Sequence, residues 1–134
     1  MPDQPHLKQF PVHLGKGGTV VPLPHYTGVP EWYMDYEDAT RADGPDGRLV
    51  TVHDFDRSWD SWEVHPHGEE LVVCLSGAAT FVQEVDGQPV RVPLATGQWL
   101  RNPAGVWHTA DLAPGTVATC LFVTSGLGTI YRSR

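Results

Sequence analysis

From Leu49 onward, apolar and polar residues alternate in short runs separated by turn formers. A period of two marks strands that bury one face. The pattern predicts eight strands, over residues 49–55, 61–65, 71–75, 78–84, 89–93, 99–101, 106–112 and 116–124. Asp86-Gly87 is a strong hairpin turn, and Ser76-Gly77, Ala95-Thr96-Gly97 and Ala113-Pro114-Gly115 supply further turns. Short strands at this spacing point to an all-β jelly roll or closed barrel.

The chain before Leu49 reads differently. Residues 1–12 form an extended arm. Thr19-Val20-Val21 is an edge strand after the Gly15-Lys16-Gly17-Gly18 turn, ended by Pro22 and Pro24. Residues 30–42 are the one good helix candidate. Pro30 suits the first helical position, Glu31 and Asp35 favour its positive end, and Trp32, Tyr36 and Ala39 make an apolar stripe. Gly44-Pro45 and Asp46-Gly47 then break the chain. The organisation expected is a single domain: an arm, edge strand and short helix over 1–47, packing on a barrel over 48–134.

Composition narrows the function. A length of 134 residues suits one domain, and Gly 14 with Pro 12 fits many short strands better than long helices. The net charge of -7 argues against nucleic acid and against an anionic membrane surface. No apolar segment follows a basic start, and no apolar run approaches a membrane span, so a cytoplasmic protein is expected. Cys74 and Cys120 each sit in an apolar β-like run, which favours buried thiols over a disulfide.

The candidate chemistry lies in Trp62-Glu63-Val64-His65-Pro66-His67-Gly68-Glu69-Glu70 and in the later stretch from Gly97 to His108. Strand alternation puts Glu63 and His65 on one face, with Trp62 and Val64 on the other. A tight turn through Pro66-His67-Gly68 lets Glu70 start the next strand facing the same interior. His108 follows the Pro103-Ala104-Gly105 turn and can join them from across the barrel. Two imidazoles and two carboxylates form a mixed nitrogen and oxygen set, which suits Fe(II), Mn, Ni or Zn with positions left open. His6, His13, His25 and His53 read as surface or packed residues, and His67 as a turn residue near the site.

These stretches resemble the two motifs of the cupin superfamily, the double-stranded β-helix proteins. Gly97, Pro103, Gly105 and His108 match the second motif at its spacing, with Leu112 in place of its trailing asparagine. Glu70 and Gly77 match the end of the first motif, and counting back places its second histidine at His65. The first histidine of that motif is then Glu63, and its leading glycine is Arg57. A rival alignment uses His65-Pro66-His67, but it shortens the gap to Glu70 and puts a proline inside the ligand strand. The resemblance implies a jelly-roll barrel, a divalent metal on Glu63, His65, Glu70 and His108, and a small-molecule substrate or ligand.

Two functions follow from the resemblance. One is a metal-dependent enzyme, of dioxygenase or isomerase type, on a small neutral or weakly acidic molecule that Trp62, Trp99 and Trp107 could flank. The other is a non-catalytic binding module. Leu71, Val73 and Leu75 are apolar yet point away from the site. An N-terminal strand or a second subunit is expected to cover them, and a homodimer is expected.

Overall fold

The computed structural model describes residues 3–125 and 127–134. The chain forms two antiparallel sheets that face each other. The strands are β1 (Val12–Gly15), β2 (Thr19–Pro22), β3 (Arg48–Phe55), β4 (Ser61–Val64), β5 (Glu70–Ser76), β6 (Ala78–Val85), β7 (Gln88–Ala95), β8 (Trp99–Asn102), β9 (His108–Asp111), β10 (Ala118–Ser125) and β11 (Ile130–Ser133). One sheet runs in the order β2-β1-β3-β10-β5-β8 and the other β11-β4-β9-β6-β7. Together they make the all-β jelly roll that the alternation predicts, with one helix, α1 (Pro30–Thr40).

Each strand in the prediction is present, with its ends moved by a few residues. The hairpin of β6 and β7 turns on Asp86 and Gly87, whose φ values of 52° and 75° are those of a primed two-residue turn. Strand β4 stops at Val64 because the His65 carbonyl leaves the ladder and accepts from the Gly105 N–H at 3.0 Å. Strand β9 begins only at His108, since Val106 still closes a turn onto the Pro103 carbonyl.

Two elements were absent from the sequence reading. Val12–Gly15 pairs with both β2 and β3, and Ile130–Ser133 pairs with β4 at the far end of the other sheet. Helix α1 ends at Thr40, two residues short of the expected end, and a 3-10 segment (Arg41–Asp46) carries the chain through Gly44-Pro45. Its packed stripe is Trp32 and Tyr36, whereas Ala39 is exposed.

The core occupies one end of the barrel. Val72, Cys74, Phe81, Leu94, Leu100, Ala110, Cys120 and Phe122 form it, with Trp59 packed against them. The two cysteines are free and buried. On β5 the inward series runs Glu70, Val72, Cys74, so a carboxylate sits at the mouth and apolar residues lie beyond it. A second cluster, Leu23, Trp32, Tyr36 and Leu49, seats α1 on the barrel. His13 ties this region together, since Nδ1 meets the Tyr36 hydroxyl at 2.7 Å and Nε2 meets Asp43 at 2.6 Å. The outer face of β5 stays bare within one chain, with Leu71 36% and Leu75 46% exposed. Trp99 on neighbouring β8 is 67% exposed.

Candidate metal centre

Three loops and strand ends bring the candidate ligands together. Glu63 on β4 lies directly opposite His108 on β9. His65 follows immediately, held by the carbonyl bond to Gly105 described above. Glu70 opens β5 after a turn that passes close to β10. Gly68 permits that approach, because a Cβ there would lie 2.8 Å from the Ser125 Cβ.

The geometry is compact. His65 Nε2 lies 3.2 Å from one Glu70 oxygen and 3.9 Å from Glu63. His108 Nε2 lies 3.3 Å from the other Glu70 oxygen and 3.8 Å from Glu63. Glu70 therefore straddles the two imidazoles. Glu63, His65 and His108 each offer a ligand atom within 4.8 Å of the others. His65, Glu70 and His108 are buried, and Glu63 is partly open to the cavity.

Both Nε2 atoms are buried and without a hydrogen-bond partner. The other ring nitrogens are held. His65 Nδ1 meets the Thr129 hydroxyl at 2.9 Å, and His108 Nδ1 meets the Val106 carbonyl at 3.3 Å. A carbonyl only accepts, so neutral His108 keeps its hydrogen on Nδ1 and leaves the Nε2 lone pair free. Two buried imidazole nitrogens beside two carboxylates fit a divalent cation.

The charges agree with this reading. Burial disfavours the His108 cation, but Glu63 and Glu70 outweigh it and raise the pKa to about 9. In the metal-free protein a proton thus offsets the carboxylates, and an incoming ion must displace it. Burial alone would raise the Glu70 pKa, yet the His108 and His65 imidazoles hold it well below the usual carboxylate range.

Sequence reasoning missed the residues that orient Glu70. Asn102 Nδ2 donates to one oxygen at 2.9 Å, and the Thr124 hydroxyl donates to the other at 2.6 Å. Gln83 Nε2 donates in turn to Asn102 at 2.9 Å. The signal was present as polar residues on inward positions of apolar strands, Asn102 two after Leu100 and Thr124 two after Phe122. Of the other candidates, His67 is exposed in its turn and Glu69 pairs with Arg101 on the surface. Trp62, Trp99 and Trp107, read from the sequence as core residues first and as a substrate's flank second, take neither place. Trp62 and Trp107 stack outside the barrel on Arg132, at 5.2 and 4.6 Å, and none of the three lines the cavity.

The cavity above the cluster has a volume of about 450 Å³. Glu63, His65 and Glu70 are on its floor, and Tyr33, Tyr36 and Tyr131 are among the residues of its walls. Burial, followed by the bond to the Tyr26 hydroxyl, raises the Tyr33 pKa far above its ordinary value. Tyr131 is pushed up to about 12 by burial and then by Glu63. Both phenols therefore stay protonated; the Tyr33 hydroxyl is engaged with Tyr26, and the Tyr131 hydroxyl can donate to a ligand.

The sequence matches the cupin domain model over residues 51–129. The chain belongs to the cupin family. No curated protein matches it. Among solved structures, this cupin is similar to an uncharacterized conserved protein with a double-stranded β-helix domain from Klebsiella pneumoniae. They share 21% identity with a TM-score of 0.54, over 65% of this chain and 76% of that one. It is also similar to hydroxypropylphosphonic acid epoxidase from S. wedmorenis, at 22% identity and TM-score 0.52, over 63% and 45% of the two chains. Oxalate oxidase, in complex with the substrate analogue glycolate, gives 15% identity and TM-score 0.53, over 62% and 45%. The chain spans less than half the length of the epoxidase and the oxidase. At these identities the likeness establishes the double-stranded β-helix fold.

Proposed function

We propose that this cupin holds one divalent ion per chain on His65, His108 and Glu70, with Glu63 as fourth ligand or hydrogen-bond partner, and acts as a dioxygenase-type oxidoreductase. The observation that carries the reading is the pair of buried, unpartnered imidazole nitrogens beside two carboxylates, under a cavity that Glu63, His65 and Glu70 line. The epoxidase with similar fold has been seen with Co(II) and with Fe(II), each with a substrate, which supports a metal on this fold. Fe, Mn, Ni or Zn would supply Lewis acidity there, and Fe(II) would also supply oxygen activation.

The chain's own residues do the rest. Asn102 and Thr124 fix Glu70, while Thr129 and the Val106 carbonyl fix the imidazole rings. Tyr131 offers its phenol hydrogen to a substrate oxygen. Leu49, 8% exposed, supplies apolar wall beside the floor. Two neutral imidazoles and two carboxylates balance a divalent charge, so the floor suits a neutral or weakly acidic group such as a phenol, enol or diketone. The same proposal includes a cytoplasmic homodimer that buries the bare face of β5.

A non-catalytic binding module is the second reading, favoured by one observation. The wall phenols Tyr33, Tyr36 and Tyr131 all have pKa values raised far above neutrality, so they do not titrate at neutral pH. The two readings separate by experiment. Protein purified without added metal is analysed for metal, reloaded anaerobically with Fe(II), and followed for oxygen uptake with enols and catechols. His65→Ala and His108→Ala are expected to lose metal, and His67→Ala to keep it. Loss of metal in His67→Ala with retention in Glu63→Ala would overturn the ligand set. Metal without turnover, plus a small molecule retained through purification, would favour the binding module.

A further inference from the structure

The cavity has two ends of different chemistry. Metal-ligand candidates make the floor. Above it lie Tyr33, Met34 and Glu37 of α1 and Tyr131 of β11. Among the described residues no lysine or arginine lines the cavity, whereas Glu37, Glu63 and Glu70 do. With a divalent ion on the floor, Glu63 and Glu70 are balanced and Glu37 is left over. Glu37 accepts a bond from the Gly128 N–H at 2.9 Å and takes part in no ion pair among the described residues. Ser125 adds an independent sign of a ligand. It lines the cavity, is 3% exposed, and its hydroxyl has no hydrogen-bond partner.

We propose that the cavity takes a small organic cation, with its ammonium end among Tyr33, Tyr131 and Glu37 and a weakly acidic hydroxyl, enol or thiol end at the floor. The floor half of this proposal rests on the metal-dependent reading above, and the ammonium half does not. Aromatic faces attract a cation through their quadrupole, most strongly where water is displaced. A carboxylate at the same place adds direct attraction, and a surplus of one negative charge repels anions. Glu63, Glu70 and Glu37 all help to push up the Tyr131 pKa, which places that ring in their negative potential. The ammonium charge also offsets the acidic end as it loses its proton, so the bound molecule stays near neutral.

The test uses the full chain loaded with zinc and three probes of nearly equal shape: ethanolamine, ethylene glycol and glycolate. Binding is measured by calorimetry, and zinc by metal analysis of the same samples. Ethanolamine is expected to bind about tenfold more tightly than ethylene glycol, and glycolate more weakly than either. Glu37→Gln keeps an oxygen to accept the Gly128 N–H and removes only the charge. It is expected to cost ethanolamine about tenfold while leaving ethylene glycol binding and zinc content unchanged. Tyr131→Leu is expected to weaken ethanolamine in the same selective way. Glycolate binding as tightly as ethanolamine, no selective loss in Glu37→Gln, or no binding of any probe would each overturn the proposal. Bound zinc without a preference for ethanolamine sinks the cation site alone. Ethanolamine binding that depends on Glu37 in protein that holds no zinc sinks the metal floor and leaves the cation site standing.

Discussion

Asn102→Ala tests the network under the site without touching a candidate ligand. Asn102 is 1% exposed, donates to the Glu70 carboxylate at 2.9 Å and accepts from Gln83 at 2.9 Å. A hydrogen bond to a charged group contributes about 1.5–3 kcal/mol, and its loss leaves the Glu70 oxygen short of a donor in a buried place. Gln83 keeps a second acceptor in the Arg101 carbonyl at 2.7 Å, so its loss is small. The expected cost is therefore about 2 kcal/mol. For 134 residues the unfolding entropy is about 0.28 kcal/mol/K, so Tm should fall by about 7 °C. Metal affinity should fall about 10–100-fold, because Glu70 loses the partner that aims it. Calorimetric melting of metal-free protein gives the first number, and competition with a chromophoric chelator gives the second. A Tm within about 1 °C of the parent, with unchanged metal affinity, would refute the claim that Asn102 holds Glu70 in place.

Further outcomes follow from other parts of the fold. The His13 bond and then the Lys16 N–H hold the Asp43 carboxyl below its ordinary pKa. Its stabilising effect should be present above the unfolded value of about 3.9 and fade as pH falls below it. The Tm gap between parent and Asp43→Asn should accordingly close on acidification, and a gap as large at pH 3 as at pH 7 would contradict this. The bare outer face of β5 and β8 should bury itself in a homodimer, so light scattering should give about twice 14.7 kDa, and Leu75→Lys should reduce it to one chain. A parent protein of one-chain mass would end that proposal. Gly77 has a φ of 75° and a Cβ there would collide with the Val117 carbonyl, so Gly77→Ala should lower Tm by several degrees in the same melting assay.

The sequence made the floor of the site legible because its residues sit at fixed spacings around tight turns. Glu63, His65, Glu70 and His108 follow from strand alternation plus two turn signals, and the strands around them follow from a period of two. The walls were harder to read. Tyr33 is adjacent to the Trp32 and Tyr36 stripe, and a helical pattern says which face packs without saying that a neighbouring ring overlooks a cavity. Tyr131 lies on a terminal strand too short to stand out by alternation. The tryptophans obey the same period. Trp62 is next to Glu63 and Trp107 next to His108, so the alternation that turns the ligands inward turns these rings out.

The family match spans residues 51–129, which includes Glu63, His65, Glu70 and His108. Tyr33, Met34, Tyr36, Glu37 and Tyr131, which wall the cavity, all fall outside it. The walls are thus built from both flanks of the chain, outside the matched stretch. Exchanging the helix and the last strand would change the walls while Glu63, His65, Glu70 and His108 stayed as they are.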